Sequence, residues 1–106
     1  MTTFDKREEG FENKFALDEE QKFKAEARRN KLLGLWAADR QGMSGDAASA
    51  YAREIISADF DEAGHGALRK VTADLASKGI AIAEEQIRAK MDELMALAIV
   101  QVKAGI

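Results

Sequence analysis

Residues 1–21, MTTFDKREEGFENKFALDEEQ, run without a proline into residues 22–42, KFKAEARRNKLLGLWAADRQG. The first stretch is acidic and carries phenylalanine; the second is basic and then apolar. Phe4, Phe11 and Phe15 are seven and four residues apart. At about 100° per residue that spacing puts the three rings within roughly 40° on one side of a helix. Between Thr2 and Gln41 only Gly10 and Gly34 weaken a helix. The chain therefore opens with a helix-capable arm whose apolar stripe is thin. The remainder supplies a body to carry it.

Working outward, that body reads as helical throughout. Ala25, Leu32, Leu33, Leu35 and Trp36 share a broad arc while Phe23 and Ala27 face elsewhere. This predicts a central helix from about Asp18 to Arg40, touched by several neighbours, and Gln41 to Gly45 ends it. Asp46 is a suitable N-cap for a second helix to about Asp59, in which Ala48, Tyr51, Ala52, Ile55 and Ile56 form one apolar face. Gly64-His65-Gly66 marks a turn, with Asp59, Asp61 and Glu62 placed for the start of a third helix over about 63–77. Leu68, Val71, Thr72 and Leu75 are its core positions. The last helix, about 83–103, offers Ile87, Met91, Leu94, Met95, Ala98 and Val102; Ala83 caps it poorly, and Glu84 and Glu85 compensate through the helix dipole. Four amphipathic segments on short connections, with no strand pattern, predict an all-α fold: a small four-helix bundle with a helix-prone N-terminal arm.

With 106 residues there is room for one core. A composition 46% hydrophobic and 33% charged is globular, and the absence of cysteine removes disulfides and thiolate metal sites. The longest apolar run, Leu94 to Val100, falls short of the ~20 residues of a membrane span, and the charged N-terminus lacks the apolar core of a signal peptide. The expectation is a cytoplasmic protein. The net charge of −3 conceals a bipolar start: residues 1–20 hold three bases against seven acids, residues 21–31 five bases against one acid. An acidic leading segment repels phosphate, which argues against a nucleic-acid arm.

Catalytic signatures are missing. Gly64-His65-Gly66 lacks the spacing and the following Lys-Ser/Thr of a phosphate loop. His65 is the single histidine, so no His-based metal site is built, and none of Ser44, Ser49, Ser57 or Ser77 stands in a nucleophile elbow. The chain reads as a non-enzyme with no metal site and no required cofactor. What remains are surfaces. Arg28, Arg29 and Lys31, beside Trp36, form either a solvated cationic face or a grip for an anionic ligand. Trp36 is a core anchor or the lining of a groove. Phe4, Phe11 and Phe15 either fold back as core or form the anchor row of a helix that docks into a partner's groove. The heavy charge around them favours docking.

Phe4-Asp5-Lys6-Arg7-Glu8, Phe11-Glu12-Asn13-Lys14-Phe15-Ala16 and above all the run from Phe23 to Ala38, FKAEARRNKLLGLWAA, resemble the zeta subunit of alphaproteobacterial F-type ATPases. The likeness continues through Ala50-Tyr51-Ala52, residues 58–64 and residues 86–91, and so spans the chain. It implies an inhibitor of ATP hydrolysis by the catalytic head of ATP synthase, peripheral to the membrane-bound enzyme and monomeric when free. Its partners would be the alpha, beta and gamma subunits. The arm would be the inhibitory part, entering a catalytic interface near the rotor stalk. Carried over, the arm is residues 1–19 and the bundle residues 20–106, with Phe4, Arg7, Glu8, Phe11, Lys14 and Phe15 as partner contacts. The resemblance also implies a weak ADP or ATP ligand on the bundle, for which Arg28, Arg29, Lys31 and Trp36 are the candidates. His65 and Ala83 depart from the family pattern, and neither lies in the arm. The rival reading is a nucleotide-sensing small-ligand module acting on another partner.

Overall fold

Asp18 starts the first helix by itself. Its carboxylate accepts from the Gln21 backbone N–H at 2.7 Å, and the Gln21 side chain accepts from the Asp18 N–H at 3.2 Å. This reciprocal capping box satisfies donors that a helix start otherwise leaves orphaned. The computed structural model describes residues 17–106. Among them are four α-helices: α1 (Glu19–Arg40), α2 (Gly45–Asp61), α3 (Gly66–Ser77) and α4 (Glu84–Ala104). No strand occurs among the described residues. The all-α four-helix expectation holds, and α1 is central as its apolar breadth implied, touching α2, α3 and α4. The backbones of α2 and α4 do not approach each other closely.

Three boundaries differ from the sequence expectation. Helix α2 begins one residue before Asp46 with Ser44 at the N-cap, and Asp46 sits in the first turn instead. Asp61 closes α2 and Glu62 follows it, so of the three acids expected at the start of α3 only Asp59 bonds its head. The cause is the turn itself: Ala63 has φ 52° and Gly64 φ 91°, left-handed backbone that no helix continues through. Helix α3 therefore starts at Gly66 rather than near residue 63. At α4 the weak cap Ala83 is confirmed, and Gln86 compensates by accepting from the Ala83 N–H at 2.9 Å.

The core gathers Leu33, Ile55, Leu75, Ile87 and Val71, the largest fully buried side chains, with Tyr51 beside them. Trp36, Leu35, Leu68, Met91 and Leu94 pack half-buried against this cluster. Much of the rest is small: Ala25, Ala37, Ala38, Ala48, Ala52, Ala67 and Ala98 are all buried. Small side chains let helix backbones approach closely. At Gly34 on α1, a Cβ would lie 2.6 Å from the Ala52 Cα of α2.

A buried polar group ties three helices together. Asn30 of α1 donates to Asp59 Oδ2 of α2 at 2.9 Å, and the Ala67 N–H of α3 donates to Asp59 Oδ1 at 3.0 Å. Asp59 thus caps α3 from another helix, where the adjacent N-cap His65 makes no side-chain bond. Arg29 balances the carboxylate at 3.6 Å. A second tie joins α2 to α3: the Tyr51 hydroxyl donates to Asp74 at 2.7 Å, and Lys70 reaches the same oxygen at 3.0 Å.

Candidate functional site

The sequence-derived contacts Phe4, Arg7, Glu8, Phe11, Lys14 and Phe15 all lie outside the described residues. Asp18 and Glu19, the last residues assigned to the arm, are the cap and first residue of α1.

The four residues expected to hold an anionic ligand are spread over α1. Arg28 donates to Gln101 of α4 at 3.4 Å. Arg29 donates to the Asn30 side chain at 3.1 Å and turns its charge toward Asp59. Lys31 is exposed. Trp36 lies further along, with the Arg40 and Lys90 cations 5.3 and 5.9 Å from its ring centroid, within cation–π range. Arg28 and Lys31 line one depression and Arg29 lines two others.

One of those two, between α3, α4 and the Gly64-His65 turn, is a cleft of ≈ 720 Å³ that includes Arg29, Arg69 and Arg88. That volume falls in the range of small-molecule sites. Two acids, Glu84 and Asp92, share it. Its guanidiniums are engaged: Arg69 grips Glu62 in a two-pronged pair with one arm at 2.7 Å, and Arg88 stands 3.5 Å from Glu84. The hydrogen bonds from Arg69 hold the Glu62 carboxyl below its ordinary value and raise that of the arginine. The buried hydroxyl of Thr72, also in this cleft, has no hydrogen-bond partner among the described residues. The sequence reading placed Thr72 in the core and did not single out Arg69 or Arg88; the i to i+4 period flags apolar faces and is silent on cations gathered from different helices.

The remaining depressions adjoin one another on the N-terminal half of α1. Phe23, Ala27 and Ile56 are common to both; Phe60 extends one, Val102 and Ile106 the other. Phe23 is 62% exposed, Phe60 74% and Ile106 72%. Large apolar side chains gathered at this exposure mark an interaction surface. A sequence signal existed for Phe23, which fell off the apolar arc of α1; Phe60, flanked by Asp59 and Asp61, carried none. Among the described residues no group of three or more His, Asp or Glu could hold a metal ion, and no helix is long and apolar enough to cross a membrane.

The model of the family described as ATPase inhibitor subunit zeta matches residues 1–101 of this chain. No curated protein matches it. A protein solved by solution NMR is 53% identical, with the match covering 79% of this chain and 96% of that one at a TM-score of 0.68.

Proposed function

This chain belongs to the ATPase inhibitor subunit zeta family, and on that footing we propose that its N-terminal arm is the part that blocks ATP hydrolysis by the catalytic head of ATP synthase. The arm inserts at an interface of the alpha and beta subunits close to gamma, using Phe4, Phe11 and Phe15 as anchors and Arg7, Glu8 and Lys14 as rim contacts. The protein is a non-enzymatic regulator, monomeric when free and acting on the cytoplasmic side. The observation that supports this reading is the capping box at Asp18: α1 caps its own start, as expected if the residues before it serve a partner. Ordering a segment on binding costs conformational entropy, which three buried rings at about 1.5–3 kcal/mol each offset. Charges of both signs around the rings select the partner more than they tighten the complex.

The test is to delete residues 1–16, which preserves Asp18 and its cap. Inhibition of hydrolysis by the purified ATPase is expected to vanish while the bundle stays folded, with the helical signal of its four helices retained. A truncated chain that inhibits as strongly as the full one overturns the reading.

One observation supports a weak ADP or ATP ligand as an accompanying property: the cleft joins Arg29 to Arg69, Arg88 and the unpartnered Thr72 hydroxyl. A phosphate there would take guanidinium donors away from Glu62 and Glu84. ADP titration is expected to shift the amides of residues 64–72 and 84–92. Shifts confined to Lys31–Trp36 would return the ligand to the face of α1.

A further inference from the structure

We infer that the apolar trough along the N-terminal half of α1, made by Phe23, Ile56, Phe60, Val102 and Ile106, is the resting seat of this chain's own residues 1–16. This rests on the reading of the arm as the inhibitory element and adds its regulation: the rings that anchor in the ATPase are covered when the protein is alone.

The connection is short. Residue 16 is two positions before the α1 cap, and Phe23 lies five residues beyond that cap. Asp18 has extended backbone, φ −76° and ψ 175°, so the chain enters α1 through a bend rather than as a continuous helix. If helical, Phe4 to Phe15 would span about 16 Å at 1.5 Å per residue, against about 12 Å from Phe23 to Lys31 along α1. An arm folded back from the bend therefore has length enough to cover the trough. Its three rings share one side by spacing, as a row laid into an apolar trough requires.

Charge is mixed on both sides and leaves a small attraction: Lys24, Arg28 and Lys31 line the trough with Glu26 and Asp59, and in the arm Asp5, Glu8, Glu9 and Glu12 outnumber Lys6, Arg7 and Lys14 by one. The seat is superficial: Phe23, Phe60 and Ile106 are exposed and stand apart from the described core cluster of Leu33, Ile55, Val71, Leu75 and Ile87. Release consequently leaves the bundle folded. A self-docked arm reduces apparent affinity for the target by the fraction of time it is undocked.

The chain has no cysteine, so Glu8→Cys takes a single nitroxide label. Relaxation enhancement is expected to broaden the amides of Phe23, Ile56, Phe60 and Ile106 ahead of those of α3. No preferential broadening there overturns the proposal. So does broadening that persists when labelled chains are mixed with separate isotope-enriched unlabelled ones, since a second copy would then be the occupant. The double variant Phe23→Gln, Phe60→Gln alters exposed positions. It is expected to abolish the broadening and to strengthen ATPase inhibition about two- to tenfold; unchanged or weaker inhibition with a folded bundle counts against the seat. The labelling arm needs no ATPase, so loss of the arm's inhibitory role and loss of its resting seat are separate results.

Discussion

Gly66 begins α3 against the end of α2 so closely that a Cβ built on it would sit 1.9 Å from the Ala58 carbonyl oxygen, a backbone atom with nowhere to go. Gly34 repeats the situation at 2.6 Å from the Ala52 Cα. Overpacking at such contacts costs about 1–3 kcal/mol, and more where backbone must move. Gly34→Ala is expected to lower the melting temperature by several degrees and Gly66→Ala by more, both read by circular dichroism. A neutral Gly66→Ala would mean α2 and α3 are further apart than described. Tyr51, the single tyrosine, offers a pH test. Burial first, then its bond to Asp74, pushes the phenol well above its ordinary value. The sign follows from linkage. A raised folded value means the unfolded chain loses the proton first, so the contribution to stability is complete below pH ~10 and falls as pH rises beyond it. Tyrosinate absorbance at 295 nm is expected to appear only above that pH and together with loss of helical signal. A titration centred near pH 10 in a chain that stays helical would show the phenol to be solvated.

Helix α1 is the element on which the others are hung, and its beginning is set by two side chains. Asp18→Ala removes the acceptor for the Gln21 N–H, at a typical cost of about 1 kcal/mol. For a domain of this size that is a fall of about 4–8 °C in melting temperature. A fall under 1 °C would show that the first turn frays regardless of the cap. Element type and order were legible because Ala48, Tyr51, Ala52 and Ile55 on α2, and Val71 and Leu75 on α3, recur at helical spacing against polar neighbours. The start of α3 was not. Ala63 takes a left-handed conformation that nothing about alanine advertises, and the donors at the head of α3 are satisfied by Asp59 from a different helix. Gly34 read as a weakness in a helix, whereas its missing side chain is what lets α2 lie against α1. The basic block read as one patch, yet Arg28 and Arg29 turn to different neighbours, Gln101 and Asp59, and only the assembled bundle decides that.

At the scale of the whole molecule, stability and inhibition are expected to reside in different parts of the chain and to respond to different substitutions. Ile87 is fully buried on α4, and Ile87→Val removes one methylene from the packed cluster. Its cost is about 0.5–1.5 kcal/mol, enough to lower the melting temperature by several degrees while the protein stays folded at 20 °C. The half-inhibitory concentration against the ATPase at that temperature is expected to be unchanged, because α1 and its cap still present the arm. Phe11→Asp, introduced beside Phe23→Gln and Phe60→Gln so that the arm is already off its seat, should do the reverse. It replaces the middle ring of the row with a charge that an apolar interface would have to desolvate, so inhibition weakens at least tenfold while the melting temperature holds. Measuring both quantities for both variants gives a two-by-two comparison in which each substitution moves one column. If Phe11→Asp instead lowered the melting temperature as much as Ile87→Val does, that ring would belong to the bundle's own interior. The division of the chain into a self-capped body and an inhibitory arm would then fail with it.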